Sequence, residues 1–292
     1  MLEAVSEFGV ELASAFLRQV FGGFGALVLV ATALFFVQRF TQRMLVAGMG
    51  WRAVVTWTGW LGVPVHELSH VIVAKLFRIK VVDFKLFQPD PRTGVLGYVR
   101  FVEPKLQLNQ LHKVIGTFLM GVAPLFGGTL VLMLAFNLLI YPEADGRYFR
   151  QANALASLIG SGNPSEIGQG SLEFLRQLVN EVFRYGAKDP RPWLFMYITL
   201  AVGAHLAPSD ADLENGRVGL LVILGLGLLA NAIALLAGLD PSAATRAMVR
   251  VTGPLSALLL AALMLNLANL VVCALVALVA SKLRKKHPEL PI

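Results

Sequence analysis

Residues 53–74 read AVVTWTGWLGVPVHELSHVIVA. The stretch holds one charged side chain, Glu67. A helix needs about 20 apolar residues to cross the hydrocarbon core of a bilayer, so this reads as a membrane span. Inside it, His66-Glu67-Leu68-Ser69-His70 is H-E-x-x-H. On a helix, positions i and i+4 share a face about 6 Å apart along the axis. Two imidazoles so placed can close on one tetrahedral zinc ion. Glu67, next to them, can take a proton from a water that the zinc polarises. Five His and eleven Glu in 292 residues yield this pattern by chance about 0.003 times. The competing reading is a His/Glu cluster that satisfies itself inside a helix bundle. The cost of placing a Glu and two His within a span favours a function. At 1.5 Å per residue the site lies about 9 Å from the C-terminal end of the span, close to one membrane face.

The whole chain agrees with that local reading. Hydrophobic residues make up 56% of the sequence, charged ones 15%, and the mean hydropathy is +0.68. Soluble domains carry roughly 25% charged residues, so an ordinary soluble globule is excluded, as is a disordered chain. Cys273 stands alone, which excludes an internal disulfide and a cysteine-rich metal site. The net charge of +7 fits basic loops on a cytoplasmic face. No aromatic-basic motif points to nucleic acid.

Stretches without Lys, Arg, Asp or Glu place five further spans, at 19–38, 114–142, 192–209, 218–239 and 251–281. The expectation is an all-α membrane protein of about six transmembrane helices, one domain over 1–292. Six spans put both termini on one side, and Lys282, Arg284, Lys285 and Lys286 mark it as cytoplasmic. Arg39, Arg43 and Arg52 run against that orientation. The expected setting is the plasma membrane of a prokaryote, with the site near the cytoplasmic face. Two segments are not spans. Val81 to Gln88 and Val95 to Val102 are β-branched and aromatic, separated by Pro-Asp-Pro-Arg-Thr-Gly, which predicts a small β-hairpin insertion at about 80–104. The loop at about 141–192 carries Leu172, Leu175, Leu178, Val179, Val182 and Phe183 at helical spacing, which predicts an amphipathic helix.

Zinc in a catalytic site takes a third protein ligand. The candidates cluster in His205-Leu-Ala-Pro208-Ser209-Asp210-Ala-Asp212. The second and fourth expected spans run in the same direction, so this cluster and His66/His70 share a membrane face. His205 and Asp212, seven apart, share a side of a continuous helix, and Asp210 points about 140° away from His205. That favours Asp212, with His205 and Asp210 as alternatives. Pro208 works against a continuous helix. Ser209-x-x-Asp212 also has the form of a capping box, which gives Asp212 a purely structural reading.

A hydrophobic chain with H-E-x-x-H in one span and an Asp near the end of a later one resembles the site-2 protease family of intramembrane zinc metalloproteases. The resemblance covers roughly 53–216. It implies His66, His70 and Asp212 as zinc ligands and Glu67 as catalytic base. Many members carry the Asp in an Asn-Pro-x-Asp-Gly motif; here the sequence is Pro208-Ser209-Asp210-Ala211-Asp212, and counting from the Pro points to Asp210 instead. The family also implies a use for the hairpin, as an edge strand that pairs with an extended substrate. A hairpin that only connects two spans is the plainer reading.

The function expected from these residues is a zinc-dependent endopeptidase. Its substrate would be a single-span membrane protein or a membrane-embedded peptide, and its partners include the lipid bilayer but no nucleic acid. The alternatives are a non-proteolytic membrane zinc-binding protein and a metal or proton transporter. Gly121-Val-Ala-Pro-Leu-Phe-Gly127-Gly128 in the third span reads first as a surface for tight helix packing.

Overall fold

A computed structural model describes residues 2–139 and 188–286, with a few isolated positions between them. In chain order the helices are α1 (Leu2–Leu17), α2 (Gly25–Met49), α3 (Trp51–Val54), α4 (Trp60–Leu76), α5 (Leu111–Leu139), α6 (Arg191–Gly203), α7 (Asp210–Leu236) and α8 (Ser242–Lys286). Strands β1 (Val81–Lys85) and β2 (Tyr98–Phe101) lie between α4 and α5. The amphipathic helix expected within 141–192 falls for most of its length outside the described residues.

Four helical segments are long and apolar enough to cross a membrane: Gly25–Met49, Leu108–Leu139, Asp210–Leu236 and Leu259–Lys282. This is consistent with a membrane protein. α7 turns Leu221, Leu229, Ile233 and Leu236 outward. Such a row is stable where lipid, not water, is the solvent.

Two of the six expected spans take a different form. The stretch at 53–74 is helical throughout, but a π-helical turn at Val55–Gly59 divides it, leaving α4 with 17 residues. Pro64, inside α4, offers no N–H to the carbonyl one turn back, so the helix is weakened on the N-terminal side of the His pair. Within the π turn the Thr58 hydroxyl donates to the Val54 carbonyl at 2.7 Å. The stretch at 192–209 is helical only to Gly203. The 13 residues of α6 rise about 20 Å, too little for the hydrocarbon core. The chain then leaves the helix through 204–209 and re-enters one at Asp210. α7 begins earlier than the expected span at 218 because its first two turns carry Asp210, Asp212, Glu214 and Arg217. A search for charge-free runs discards those turns, although they are helical and capped.

The core forms where α5, α6 and α8 meet α2. Leu34, Leu132, Phe136, Phe195, Val202 and Leu259 are buried together, with the rings of Phe136 and Phe195 edge to face at 5.4 Å. α5 packs against both α4 and α7. Gly121 makes the α5–α7 approach possible: a Cβ there would fall 2.5 Å from the Asp212 carbonyl oxygen. On another side of α5, Gly127 faces Ser69 and Gly128 faces Leu206, so the small residues of the third expected span form a packing surface.

The two strands pair antiparallel, with Phe84 opposite Val99 and Lys85 opposite Tyr98. They are shorter than the sequence predicts. Beyond them the pairing continues irregularly, from the Gln88 N–H to the Leu96 carbonyl and from the Asp90 N–H to the Val95 carbonyl. Asp90 closes the turn by accepting from the Arg92 N–H and the Thr93 hydroxyl. These bonds hold its carboxyl below the usual range. The paired segment folds back along α4: the Phe87 ring rests beside Gly59, and Gly97 lies over the Glu67 side chain.

Candidate metal centre

His66 and His70 sit one turn apart on α4, and their Nε2 atoms approach to 3.1 Å. Asp212, from the first turn of α7, places Oδ2 3.5 Å from His66 Nε2 and Oδ1 3.3 Å from His70 Nε2. These three residues lie close enough together to bind a metal ion. Bonds of about 2.05 Å to N or O ligands in a tetrahedron imply ligand separations of about 3.3 Å, and the observed 3.1–3.5 Å brackets that value.

The surroundings of the rings fit a cation as well. His66 Nδ1 is 2.7 Å from the His205 carbonyl, and His70 Nδ1 is 2.8 Å from the Met120 carbonyl. A carbonyl can only accept, so each Nδ1 carries a proton, and a neutral ring in that tautomer presents an Nε2 lone pair to the group. In that tautomer two lone pairs and a carboxylate converge. A metal ion satisfies all three at once.

Asp212 reaches this position through helix capping. Ser209 is the N-cap of α7, and its hydroxyl accepts from the Asp212 N–H at 3.2 Å. In return Asp212 Oδ2 accepts from the Ser209 N–H and hydroxyl, both at 2.7 Å. The capping box and the metal-facing carboxylate are therefore one side chain serving both ends. The helical-face argument gives the same residue for a different reason, since no continuous helix joins 205 to 212. Asp210, at the first position of α7, is about 200° further round than Asp212. It faces outward, 84% exposed, and pairs with Arg39 at 2.5 Å.

His205 lies beside the three donors but outside the group. Its ring is buried, with Nε2 3.1 Å from the Thr58 hydroxyl oxygen. Because that hydroxyl donates to Val54, it accepts from His205, so Nε2 carries the proton. The part His205 plays toward the centre is made by its backbone carbonyl.

Glu67 is buried and projects from α4 about 100° from His66. It shares with His66, His70 and Asp212 the wall of a cavity of about 710 Å³. Val95, Leu96, Gly97, Tyr98, Val99 and Phe101, in and next to β2, line the same cavity. The Glu67 carboxylate has no hydrogen-bond partner among the described residues.

Several contributors carry no motif. The carbonyls of Met120 and His205 are main-chain atoms, and no residue type announces them. Gln38 and Gln42 on α2 both donate to the Ala204 carbonyl. Their signal was available: two amides four residues apart, at the end of a long apolar run and on a helix that also carries Arg39 and Arg43.

No family model matches the chain, and no curated protein or solved structure matches it.

Proposed function

We propose that the protein is a zinc-dependent endopeptidase that hydrolyses a peptide bond of a membrane-embedded substrate. The observation that carries the reading is Glu67. It is an acid without a hydrogen-bond partner among the described residues, on the same cavity wall as a three-donor group whose spacing suits zinc. Two imidazoles and one carboxylate make a donor set typical of catalytic zinc, with one position left for water or substrate. A zinc ion held there supplies Lewis acidity and makes water nucleophilic near neutral pH. Glu67 takes the proton released from the water and returns it to the departing amine nitrogen. The His205 and Met120 carbonyls keep His66 and His70 in the tautomer that binds metal.

The hairpin supports the same reading. The Val102 N–H bonds to Lys80 and the Leu96 carbonyl accepts from Gln88, so positions 96 and 102 face β1. By strand alternation 97, 99 and 101 turn their backbone groups the other way, and the cavity is lined by these three together with Val95, Leu96 and Tyr98. An extended substrate added at that edge would lie across Glu67 and the metal donors, with its peptide bonds freed from helical hydrogen bonding. The resemblance to site-2 proteases points in the same direction, as does the set of four helices able to cross a bilayer.

The test is purified protein in detergent or liposomes with a single-span membrane substrate. Wild type should contain one zinc per chain and cleave. Glu67→Gln should keep the zinc and lose roughly 10²–10⁴-fold in cleavage rate, the usual contribution of a general base. Equal cleavage by Glu67→Gln sinks the mechanism; metal flux across liposomes without cleavage favours a transporter.

A further inference from the structure

The connection at 204–209 has two outputs to the metal centre. One is the His205 carbonyl that orients His66; the other is the Ser209 cap that presents Asp212. Its own conformation is unsupported by helix, since α6 has ended at Gly203. What holds it comes from one face of α2. Gln38 Nε2 donates to the Ala204 carbonyl at 2.9 Å, and Gln42 Nε2 donates to the same oxygen. Arg39, between them, pairs with Asp210 at the far end of the connection.

Gln38 is 2% exposed, and its Oε1 has no hydrogen-bond partner among the described residues. A buried amide satisfied at only one end is a poor stabiliser, and an apolar side chain of similar size would suit the core better. Its presence is accounted for by what its donor end grips. The gripped carbonyl belongs to the residue immediately before His205, so a shift of Ala204 moves the carbonyl that holds the His66 ring.

We propose that Gln38 and Gln42 are positioning residues of the metal centre, acting through the Ala204 carbonyl on the orientation of His66. The proposal rests on metal binding by His66, His70 and Asp212 and not on peptide hydrolysis. The two donors share one acceptor: either alone holds the carbonyl less firmly, and losing both releases it.

The test is metal affinity of the full chain in detergent, by zinc competition against a chromophoric chelator, for wild type, Gln38→Ala, Gln42→Ala and the double variant. Outer partners of metal ligands typically contribute 10–100-fold in affinity. We expect a loss of about threefold in each single variant and of at least about thirtyfold in the double, more than the product of the singles. The visible absorption bands of the cobalt-substituted double variant should shift, as the His66 ring turns. A merely structural role lowers the thermal midpoint of the metal-free protein and leaves affinity and cobalt bands unchanged; that result overturns the proposal. If the double variant does not fold, the single variants decide, and unchanged affinity and bands in both overturn it. Failure of wild type to bind stoichiometric zinc overturns the metal reading itself, and is thereby distinct from failure of the clamp alone.

Discussion

The metal centre joins two regions built on opposite terms. Residues 66–70 stand on one uninterrupted helix, and the 3.6-residue period alone sets His66 beside His70. Residues 204–212 have no such frame. There the chain leaves one helix and starts another, and position is fixed by a cap, a salt bridge and side chains borrowed from α2. The first region is rigid by its own register. The second is rigid only while its external contacts last. The candidate centre thus has two donors that helix geometry places and a third that must be held.

The contrast can be broken most severely on the helical side. His70→Ala removes a buried ligand that no other described side chain replaces, and purified protein should contain no zinc by atomic absorption. Asp212→Ala comes next. It should cost more than the roughly 10–100-fold typical of outer partners, read by chelator competition, because it removes a ligand and half of the capping box together. Full zinc affinity in Asp212→Ala would show that the third ligand lies elsewhere. Gly121→Ala changes no donor but pushes the Asp212 backbone off α5, where its Cβ has no room. About a tenfold loss of affinity is expected, within the range for outer partners. Ser209→Ala keeps the carboxylate and removes one hydrogen-bonding hydroxyl; about 0.5–2 kcal/mol of helix stability should go, seen as a lower thermal midpoint. The smallest effect belongs to Asp210→Ala. Its ion pair with Arg39 is largely exposed, so stability should change by less than about 1 kcal/mol. The pair of substitutions at 210 and 212 is the sharpest comparison, since the two residues differ only in which way the first turn of α7 points them.

What could be read from the sequence follows the same division. The His66–Glu67–His70 arrangement was legible because helix geometry needs no knowledge of the remaining chain. Its helix was legible because charge is scarce there, but the expected span is broken by the π turn and is not among the four segments long and apolar enough to cross a membrane. The strands were found from β-branched runs, though not their length, because the pairing past Lys85 becomes irregular around Pro89 and Pro91. The choice among His205, Asp210 and Asp212 was not decidable on residue type. The face argument assumed a helix that ends at Gly203, and the capping signature looked like a rival to ligation. A carboxylate has two oxygens and several lone pairs, so Asp212 can cap α7 and still face His66 and His70. The expected span at 192–209 failed for the converse reason: absence of charge identifies apolar sequence, not helix, and 204–209 is apolar chain held in an open form.

The distance along the chain between His66 and the carbonyl that orients it has a consequence for biosynthesis. They are 139 residues apart. At roughly 5–20 residues per second, His66 emerges from the ribosome roughly 7–30 s before the His205 carbonyl exists. During that interval the nascent protein has both histidines and Glu67 but lacks the Asp212 carboxylate, so the three-donor group is incomplete. On the proposed function such a chain would be unable to attack its own segments or its neighbours, and the order of synthesis would keep it latent until α7 joins the bundle.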